Sequence, residues 1–272
     1  MNYWVVLPAA GRGERFGGPV PKQYEALPGG LVIEHALAPF LQSADGSLRG
    51  VVVALSAGDT RFAALPLAHH PQVSTTTGGA SRAESVLAGL NAVRARGGAE
   101  DDWVLVHDAA RPCLGAEELV ALFAALATPA GQASGALLAL PVADTVKRAA
   151  PRPATATGKP EPAVVAATVP REGLWRALTP QAFRLGPLTA ALENALRLAA
   201  APAGMAPTDE AAAMEAMAEA MGDSMGDSMG EAMCSAPLLV PGSPYNVKVT
   251  LPADLDFAAT VLRSREQRPH HD

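Results

Sequence analysis

The stretch at residues 5–24, VVLPAAGRGERFGGPVPKQY, constrains the fold of this chain more than any other part of the sequence. A short apolar run ends at Pro8 and passes directly into a loop of small and basic residues, which is typical of a buried strand that ends in a functional loop. Small residues allow a ligand to lie against backbone N–H groups, and clustered cations offset negative charge, so the loop suits a triphosphate. The small residues are Ala9, Ala10, Gly11 and Gly13, and the basic residues are Arg12, Arg15 and Lys22.

Two common nucleotide-binding motifs do not fit this loop. The phosphate-binding string GxxxxGK[ST] occurs nowhere in the chain. The dinucleotide fingerprint GxGxxG fails at its third glycine, because the run that starts at Gly11 has Phe16 in that place. A dinucleotide oxidoreductase is therefore the least favoured class, and an ordinary polar strand-to-helix loop is the alternative to a triphosphate site.

Composition narrows the class of protein further. The chain has 272 residues, 49% of them apolar, which is enough for a sizeable core in one large domain or two small ones. Its formal net charge of −6 argues against a general nucleic-acid binder. Two cysteines exclude a disulfide framework and a CxxC zinc site, and no run has the length of a membrane span or the pattern of a signal peptide. We expect a cytoplasmic protein with no nucleic-acid or membrane partner.

Short apolar runs alternate with helix-periodic segments along most of the chain. This pattern predicts a Rossmann-like α/β fold, a mostly parallel sheet flanked by helices, in a single domain over residues 1–265. Ligands of such sheets bind beyond the carboxyl ends of the strands, so the loops at 8–22 and 107–112 are expected to share one cleft. The predicted strands are 3–7, 51–55, 72–76, 103–106, 135–142 and 244–250, and the predicted helices are 31–41, 81–93 (with a Ser81–Glu84 capping box), 117–126, 185–198 and 252–262.

Residues 143–170 break the alternation. The segments 143–148 and 163–169 look like two strands joined by a proline-rich tip, and we predict a β-hairpin arm that projects from the domain. A hairpin of this kind is marginally stable alone, so packing against a second copy of the chain would stabilise it. We therefore expect a homodimer formed through the arm.

The region before the last strand carries a methionine repeat. A helix is predicted to start near Thr208, with Thr208 as the N-cap and two acidic residues in the first turn. Methionine then recurs every fourth residue from Met217 to Met233, with glycines between. We interpret 214–233 as a low-complexity insertion rather than a metal site or partner-binding helix, and we expect 266–272 to be a flexible tail.

Two residues outside the first loop, Asp108 and Lys248, suit phosphate chemistry. Asp108 follows a buried strand, and a carboxylate there can hold Mg²⁺, which takes its other ligands from water and phosphate oxygens. A helix cap, or a structural pair with Arg111, is the alternative. Lys248 and Lys22 lie far apart in sequence, yet transfer at phosphorus needs several cations around the reacting atom. His107 is interpreted as structural.

At this point the motifs resemble those of a known family. PAAGRGERF…PKQY, GGASRAESVLAGL, VLVHDAARP, DTVKR, TVPREGLWRALTPQAF, TDEAAAME and NVKVTLPADL follow one another over about residues 3 to 262. Together they resemble the 2-C-methyl-D-erythritol 4-phosphate cytidylyltransferases of the non-mevalonate isoprenoid pathway. The resemblance covers nearly the whole chain.

The resemblance implies CTP and methylerythritol phosphate as substrates, Mg²⁺ as cofactor, and a homodimer whose arms are exchanged between subunits. Asp108 would bind Mg²⁺, and Arg15, Lys22 and Lys248 would act on the reacting phosphates. The residues implied at the nucleotide are Ala9, Ala10, Gly11, Gly13, Gly79, Ala80, Arg82, Ser85 and Ala109, and those implied at the alcohol phosphate are Thr145, Arg171, Arg111 and Thr208.

The sequence departs from the family pattern in two places that bear on the site. Ala80 stands where some relatives carry an acidic residue, and Tyr245 stands where some carry an aspartate, which puts a second metal carboxylate there in doubt. Two alternatives stay open beside the family function. One is a related cytidylyltransferase that uses ribitol 5-phosphate, and the other is a non-catalytic nucleotide-binding protein on the same scaffold.

Overall fold

The computed structural model describes residues 1–11, 13, 16–18, 20–42, 47–150, 163–201, 204–225 and 236–267. Its strands are β1 Tyr3–Ala9, β2 Ala26–Leu27, β3 Gly30–Leu31, β4 Leu48–Leu55, β5 Val73–Thr77, β6 Trp103–Val106, β7 Ala136–Pro141, β8 Val146–Ala149, β9 Val165–Val169, β10 Trp175–Arg184 and β11 Leu238–Pro241. Its α-helices are α1 Val32–Leu41, α2 Arg82–Ala95, α3 Ala116–Leu126, α4 Pro129–Ser134, α5 Leu185–Ala199, α6 Glu210–Met225 and α7 Pro252–Glu266.

A seven-stranded sheet forms the centre, in the order β11-β7-β10-β6-β1-β4-β5. Strand β1 runs parallel to β4 and β6, β4 to β5, and β7 to β11, whereas β10 is antiparallel to both of its neighbours. The predicted mostly parallel α/β fold is therefore confirmed. None of the described helices combines the length and apolarity that a bilayer crossing requires.

Alternation along β1 sends successive side chains to two different helical layers. Val5 and Leu7 pack in a core with α1 and α3, while Val6 packs in a second core with α2, α5 and the start of α6. Four apolar residues fill β6, all of them buried, as expected for a parallel strand covered on both faces. A third, smaller core holds α7 against the loops beyond the sheet.

Helix α2 lies unusually close to β1 because Gly89 faces the strand. A Cβ atom at Gly89 would lie 2.4 Å from Cγ1 of Val6. We expect Gly89→Ala to lower the free energy of unfolding by about 1–3 kcal/mol, since overpacking outweighs the gain of about 1 kcal/mol in helix propensity. Urea unfolding measures this, with Ala88→Gly on the same helix as a control for propensity alone. An unchanged or raised stability of Gly89→Ala would contradict the close packing.

The two predicted strands of the arm pair as expected. β8 and β9 form a separate two-stranded antiparallel sheet in which Val146 lies opposite Val169. Most of the β9 side chains are exposed to solvent. The proline-rich tip at 151–162 lies outside the described residues.

Two strands of the central sheet, β10 and β11, were not predicted from the sequence. β10 contains Pro180, which argues against a central strand, and the register of its pairing with β7 is interrupted between Ala177 and Gln181. β11 is short and follows the methionine repeat. The antiparallel β10 lies between β6 and β7, and its middle brings Thr179 and Gln181 towards the carboxyl end of β6.

Two local predictions are wrong. Residues 244–250 do not form the predicted strand: residues 244–245 make a turn, in which Asn246 N donates to the Ser243 carbonyl, and residues 246–250 are irregular. Helix α6 begins at Glu210, and Asp209 is its N-cap instead of Thr208, because Asp209 Oδ1 accepts a hydrogen bond of 2.9 Å from Ala212 N. The methionine-rich stretch is helical as far as Met225, and residues 226–235 and 268–272 lie outside the described part of the chain.

Candidate active site

Three loops leave the same edge of the sheet and enclose a cleft of about 190 Å³. The loops after β1 and β6 are the two that were predicted to share a cleft, and the structure adds the loop after β5. Lys248, from the irregular segment that precedes α7, lines one side. A wider groove of about 780 Å³, to which Gly13 contributes, shares much of this lining and extends the cleft outward. The predicted site residues that line the cleft are Ala9, Ala10, Gly11, Lys22, Gly79, Ala80, Arg82, Ser85, Asp108, Ala109 and Lys248.

The loop after β1 is held by the residues that end it. Lys22, Gln23 and Tyr24 form a short 3-10 helix, and Gln23 Nε2 donates a 2.9 Å hydrogen bond to the carbonyl of Ala9. Gln23 is buried, and the sequence analysis did not assign it a role. Lys22 Nζ lies in the cleft and donates to the carbonyl of Val249 at 2.8 Å. Arg15, predicted to act with Lys22, lies outside the described residues.

The loop after β5 approaches the first loop so closely that only glycine fits. A Cβ atom at Gly78 would lie 2.7 Å from Cβ of Ala10. The capping box of α2 is confirmed, because Ser81 Oγ accepts from Glu84 N at 3.1 Å and Glu84 Oε2 accepts from Ser81 N at 3.1 Å. The same carboxylate oxygen also accepts from Ala80 N at 2.6 Å. Ser85 Oγ accepts from Gly79 N at 3.1 Å. The N–H groups of residues 79 and 80 are thus bonded to side chains of α2.

Asp108 is the electrostatic centre of the cleft. Its Oδ1 lies 3.0 Å from Arg82 Nε, and its Oδ2 lies 2.8 Å from Lys248 Nζ and 3.6 Å from Arg111 Nε. Burial raises the pKa of the Asp108 carboxyl, but the charges of Arg82, Lys248 and Arg111 outweigh that effect and hold the pKa well below its usual range. The sequence alternative of an Asp108–Arg111 pair is realised as one part of this larger cluster.

Arg82 joins the cluster to helix α6. Its guanidinium donates to both carboxylate oxygens of Glu210, at 2.6 and 3.1 Å, in addition to the bond with Asp108. Glu210 is completely buried, and burial raises its pKa while the Arg82 charge opposes that rise. Sequence analysis did not select Glu210, because its partner is 128 residues away.

His107 has a structural role, as predicted. The carbonyl of Arg111 can only accept, so the 3.2 Å contact requires the proton on His107 Nε2. Nδ1 then accepts from Thr179 Oγ1 at 2.9 Å, and the same hydroxyl accepts from Asp108 N at 3.1 Å. A neutral imidazole thereby fixes the backbone of Asp108.

This buried histidine is expected to make the protein sensitive to acid. Burial lowers the pKa of His107 from 6.5 to about 4. Between these two pH values the histidine is protonated in the unfolded chain and neutral in the folded chain. The contribution of the neutral His107 to the free energy of unfolding is complete above pH 6.5 and is lost as the pH falls to about 4. The total loss is about 3 kcal/mol. We expect His107→Gln to remove that part of the pH dependence in denaturant titrations between pH 7 and 4. His69→Gln, at an exposed histidine, is the control, and equal pH slopes in the two variants would contradict the assignment.

The residues expected at the alcohol phosphate lie outside the cleft of this chain. Thr145 and Arg171 are exposed on the arm, where Arg171 donates to the carbonyl of Ala143, and Thr208 is exposed ahead of α6. Arg111 is buried behind Asp108, and its Nη1 donates to the carbonyl of Asn246 at 2.6 Å.

The donor set at Asp108 fits a hard cation only together with a ligand that carries phosphate. Among the described residues, no three His, Cys, Asp or Glu side chains converge on a common metal position. Asp108 offers a single carboxylate, and Mg²⁺ can be held by one carboxylate when phosphate oxygens and water complete its shell. Tyr245 has no carboxylate to offer as a second metal ligand. Its ring is exposed and stacks on Phe257 with ring centroids 6.5 Å apart.

Fold and site together define a Rossmann-like nucleotidyltransferase class: a cleft at the carboxyl ends of parallel strands, small-residue loops, and a carboxylate ringed by cations. A family model described as 2-C-methyl-D-erythritol 4-phosphate cytidylyltransferase matches residues 3–264. The chain belongs to this family.

Individual relatives carry the same family name. The protein of that name from Acidithiobacillus ferrooxidans (strain ATCC 53993) is 43% identical over 268 residues, covering 97% of this chain and 98% of its own. The protein of the same name from Escherichia coli O157:H7 is 44% identical over 262 residues, covering 96% of this chain and 94% of its own. Among solved structures, a 4-diphosphocytidyl-2C-methyl-D-erythritol synthase superposes with a TM-score of 0.69 at 35% identity, covering 96% of this chain and 98% of the other. The Francisella tularensis 2-C-methyl-D-erythritol 4-phosphate cytidylyltransferase superposes with a TM-score of 0.68 at 29% identity, covering 96% of this chain and 100% of the other.

Proposed function

We propose that this protein transfers the CMP group of CTP to 2-C-methyl-D-erythritol 4-phosphate, giving 4-diphosphocytidyl-2-C-methyl-D-erythritol and pyrophosphate. The single observation that carries the proposal is the cluster of Arg82, Lys248 and Arg111 around Asp108, in a cleft lined by the small loops of residues 9–11 and 79–80. A nucleoside triphosphate needs both features. The family and its named relatives supply the identity of the two substrates.

We assign the part of the cleft near residues 79 and 80 to the nucleoside and the wider end to the phosphates. The N–H groups of residues 79 and 80 already donate to side chains of α2, so contacts from these residues to a cytosine ring would use the carbonyl oxygens. The N–H groups of the first loop and the ammonium groups of Lys22 and Lys248 would face the triphosphate at the wider end. Arg15 would join them.

The proposed reaction is an in-line displacement at phosphorus. A phosphate oxygen of the sugar-alcohol phosphate forms a bond to the α-phosphorus, and the bond from that phosphorus to the β-bridging oxygen breaks, so pyrophosphate leaves with the electron pair. The nucleophile is already an anion, so no general base is needed. His107 fits this account, because both of its nitrogens are committed to internal hydrogen bonds. Lys22 and Lys248 would stabilise the charge that builds up on the α-phosphoryl oxygens.

Asp108 would hold Mg²⁺ together with triphosphate oxygens. The ion would supply positive charge to the triphosphate and the departing pyrophosphate. Lys248 is the most exposed of the three cations on Asp108, with 37% of its side chain accessible, and is therefore the one best able to exchange the carboxylate for a phosphate oxygen. Arg82 stays fixed by Glu210.

Pyrophosphate release from CTP tests the proposed substrate. We expect release with 2-C-methyl-D-erythritol 4-phosphate in the presence of Mg²⁺ and none with ribitol 5-phosphate. Release only with ribitol 5-phosphate would keep the chemistry and contradict the substrate. Release with neither, by a folded protein that still binds CTP, would favour a non-catalytic nucleotide-binding role.

The arm is proposed to pair with a second copy of the chain and to bring Thr145 and Arg171 to that copy's cleft. The exposed apolar side chains of Val164, Val165 and Trp175 support a buried partner surface there.

A charge on the arm is expected to break the dimer. The wild-type chain should sediment as a dimer at micromolar concentration. Val165→Asp should weaken dimerisation at least tenfold, because a carboxylate would be buried in the contact. Val120→Asp, at a valine 67% exposed on α3, is the matched control and should remain dimeric. A monomeric wild-type chain would refute the exchanged-arm arrangement.

A further inference from the structure

A second buried carboxylate lies behind the cleft. Glu118 of α3 is only 6% exposed. Its Oε2 accepts from Gly115 N at 2.9 Å and closes the first turn of the helix, while its Oε1 accepts from Ser243 N at 2.9 Å and from Asn246 Nδ2 at 3.1 Å. One carboxylate therefore joins α3 to the turn at 243–246.

The partners of Glu118 are N–H donors rather than cations. Within the described part of the chain, no Lys, Arg or His nitrogen lies within 4 Å of its carboxylate. A buried carboxylate is costly unless hydrogen bonds compensate it, so three donors converging on one side chain indicate a specific role. Capping α3 needs only one of its two oxygens. The other oxygen, Oε1, accepts from Ser243 N and Asn246 Nδ2, both in the turn at 243–246.

Asn246 carries this connection onward to the reacting groups. Its Nδ2 also donates to the carbonyl of Thr179 at 2.9 Å, and its own carbonyl accepts from Arg111 Nη1 at 2.6 Å. Two residues later, Lys248 Nζ reaches Asp108 at 2.8 Å. No described strand pairing holds residues 244–250. Their position depends on the bonds of Asn246 at one end and, at the other, on buried Val249, whose N donates to the Ala110 carbonyl at 2.8 Å.

We propose that Glu118, acting through Asn246, is a positioning residue that fixes the turn at 243–250 and thereby holds Lys248 in the cleft. The inference rests on the proposed function, because it takes Lys248 as the cation that acts on the phosphates. Glu118 itself touches no substrate. Its effect is expected on the rate of transfer, since small displacements of a positioned charge can lower a rate by about 100-fold.

Comparison of two capping glutamates separates positioning from stability. Glu34 makes the same cap on α1, accepting from Leu31 N at 2.8 Å, and lies away from the cleft. We expect both Glu118→Ala and Glu34→Ala to lose stability, with the larger loss in Glu118→Ala because Ser243 N and Asn246 Nδ2 are left without their acceptor. Only Glu118→Ala should lower kcat, by about 10- to 100-fold with the KM for CTP nearly unchanged. Equal kcat values in the two variants would overturn the proposal.

The conservative variant and a double-mutant cycle test the route of the effect. In Glu118→Gln, the amide oxygen can still accept from Ser243 N and Asn246 Nδ2. The amide nitrogen cannot accept from Gly115 N, so the cap of α3 is lost while the link to the turn is kept, and most of kcat should return. In a Lys248→Ala background, Glu118→Ala should lower kcat less than about threefold, because the group it positions is already gone. The same loss in both backgrounds, or a Glu118→Gln variant as slow as Glu118→Ala, would contradict a role through Lys248.

Hydrogen exchange provides a readout that needs no substrate. Backbone amides of 243–250 should exchange faster in Glu118→Ala than in wild type, and Glu34→Ala should leave that peptide unchanged. If the wild-type chain releases no pyrophosphate, the proposed function fails, but the exchange result still decides whether Glu118 fixes the turn. Unchanged exchange in Glu118→Ala would overturn the positioning role even in an active enzyme.

Discussion

Asp108→Asn is expected to lower kcat for pyrophosphate release by about 10³-fold, the upper end of the range for removing one preorganised electrostatic group. The substitution keeps the shape of the side chain and removes its charge. Arg82, Lys248 and Arg111 all lie within 3.6 Å of this carboxylate, so the neutral amide would leave three neighbouring cations to repel one another and lose their orientation. The proposed Mg²⁺ position would lose its protein ligand in the same step.

Steady-state kinetics at saturating CTP measures this effect. Asp102→Asn is the matched control, because Asp102 also accepts hydrogen bonds, from Trp4 Nε1 and Ala99 N, but precedes β6 at the opposite edge of the sheet. It should keep kcat within about threefold of wild type, as is usual for a change remote from the reacting groups. A decrease of less than tenfold in Asp108→Asn would remove Asp108 from the centre of the mechanism.

Lys22→Ala is expected to lower kcat by about 10²- to 10³-fold while the Kd for CTP changes far less. The proposed role of Lys22 is to stabilise charge that develops on the α-phosphoryl group in the transition state, and an interaction of that kind affects kcat rather than ground-state binding. Its ammonium lies in the cleft and is held there by the carbonyl of Val249. Arg15→Ala is expected to behave in the same way.

A comparison of kcat with equilibrium CTP binding tests the role of Lys22. Arg94→Ala removes a cation that pairs with Glu100 on the protein surface and should leave both quantities unchanged. If Lys22→Ala weakened CTP binding and kept kcat, Lys22 would be a ground-state binding residue, and the account of charge stabilisation would be wrong.

The parallel core of the fold could be predicted from sequence because its signals are local. The run Trp103–Val106 is uninterrupted and apolar, and its observed bounds are those predicted. Ser81 and Glu84 identify the start of α2 through contacts within one turn. β10 could not be predicted, since Pro180 and its polar neighbours are compatible with a strand only where pairing with β7 is interrupted.

The candidate site was predictable as a set of loops but not as a network. Sequence position relative to strand ends predicted that Ala9 and Asp108 share one cleft, and the family resemblance added Gly79. Glu210 and Glu118, by contrast, act on partners more than a hundred residues away in the chain, and no local pattern distinguishes them from solvated helix glutamates. Such pairings exist only after the sheet, α3 and α6 have packed.

The most direct test of the central claim follows the oxygen of the nucleophile. The enzyme would be given CTP and methylerythritol phosphate with its terminal phosphate oxygens labelled with ¹⁸O, and the products examined by ³¹P NMR. We expect one labelled oxygen to bridge the two phosphorus atoms of the cytidine diphosphate product, and we expect pyrophosphate to carry no label. Label in pyrophosphate, or formation of CMP without a labelled bridge, would contradict attack by the alcohol phosphate on the α-phosphorus of CTP.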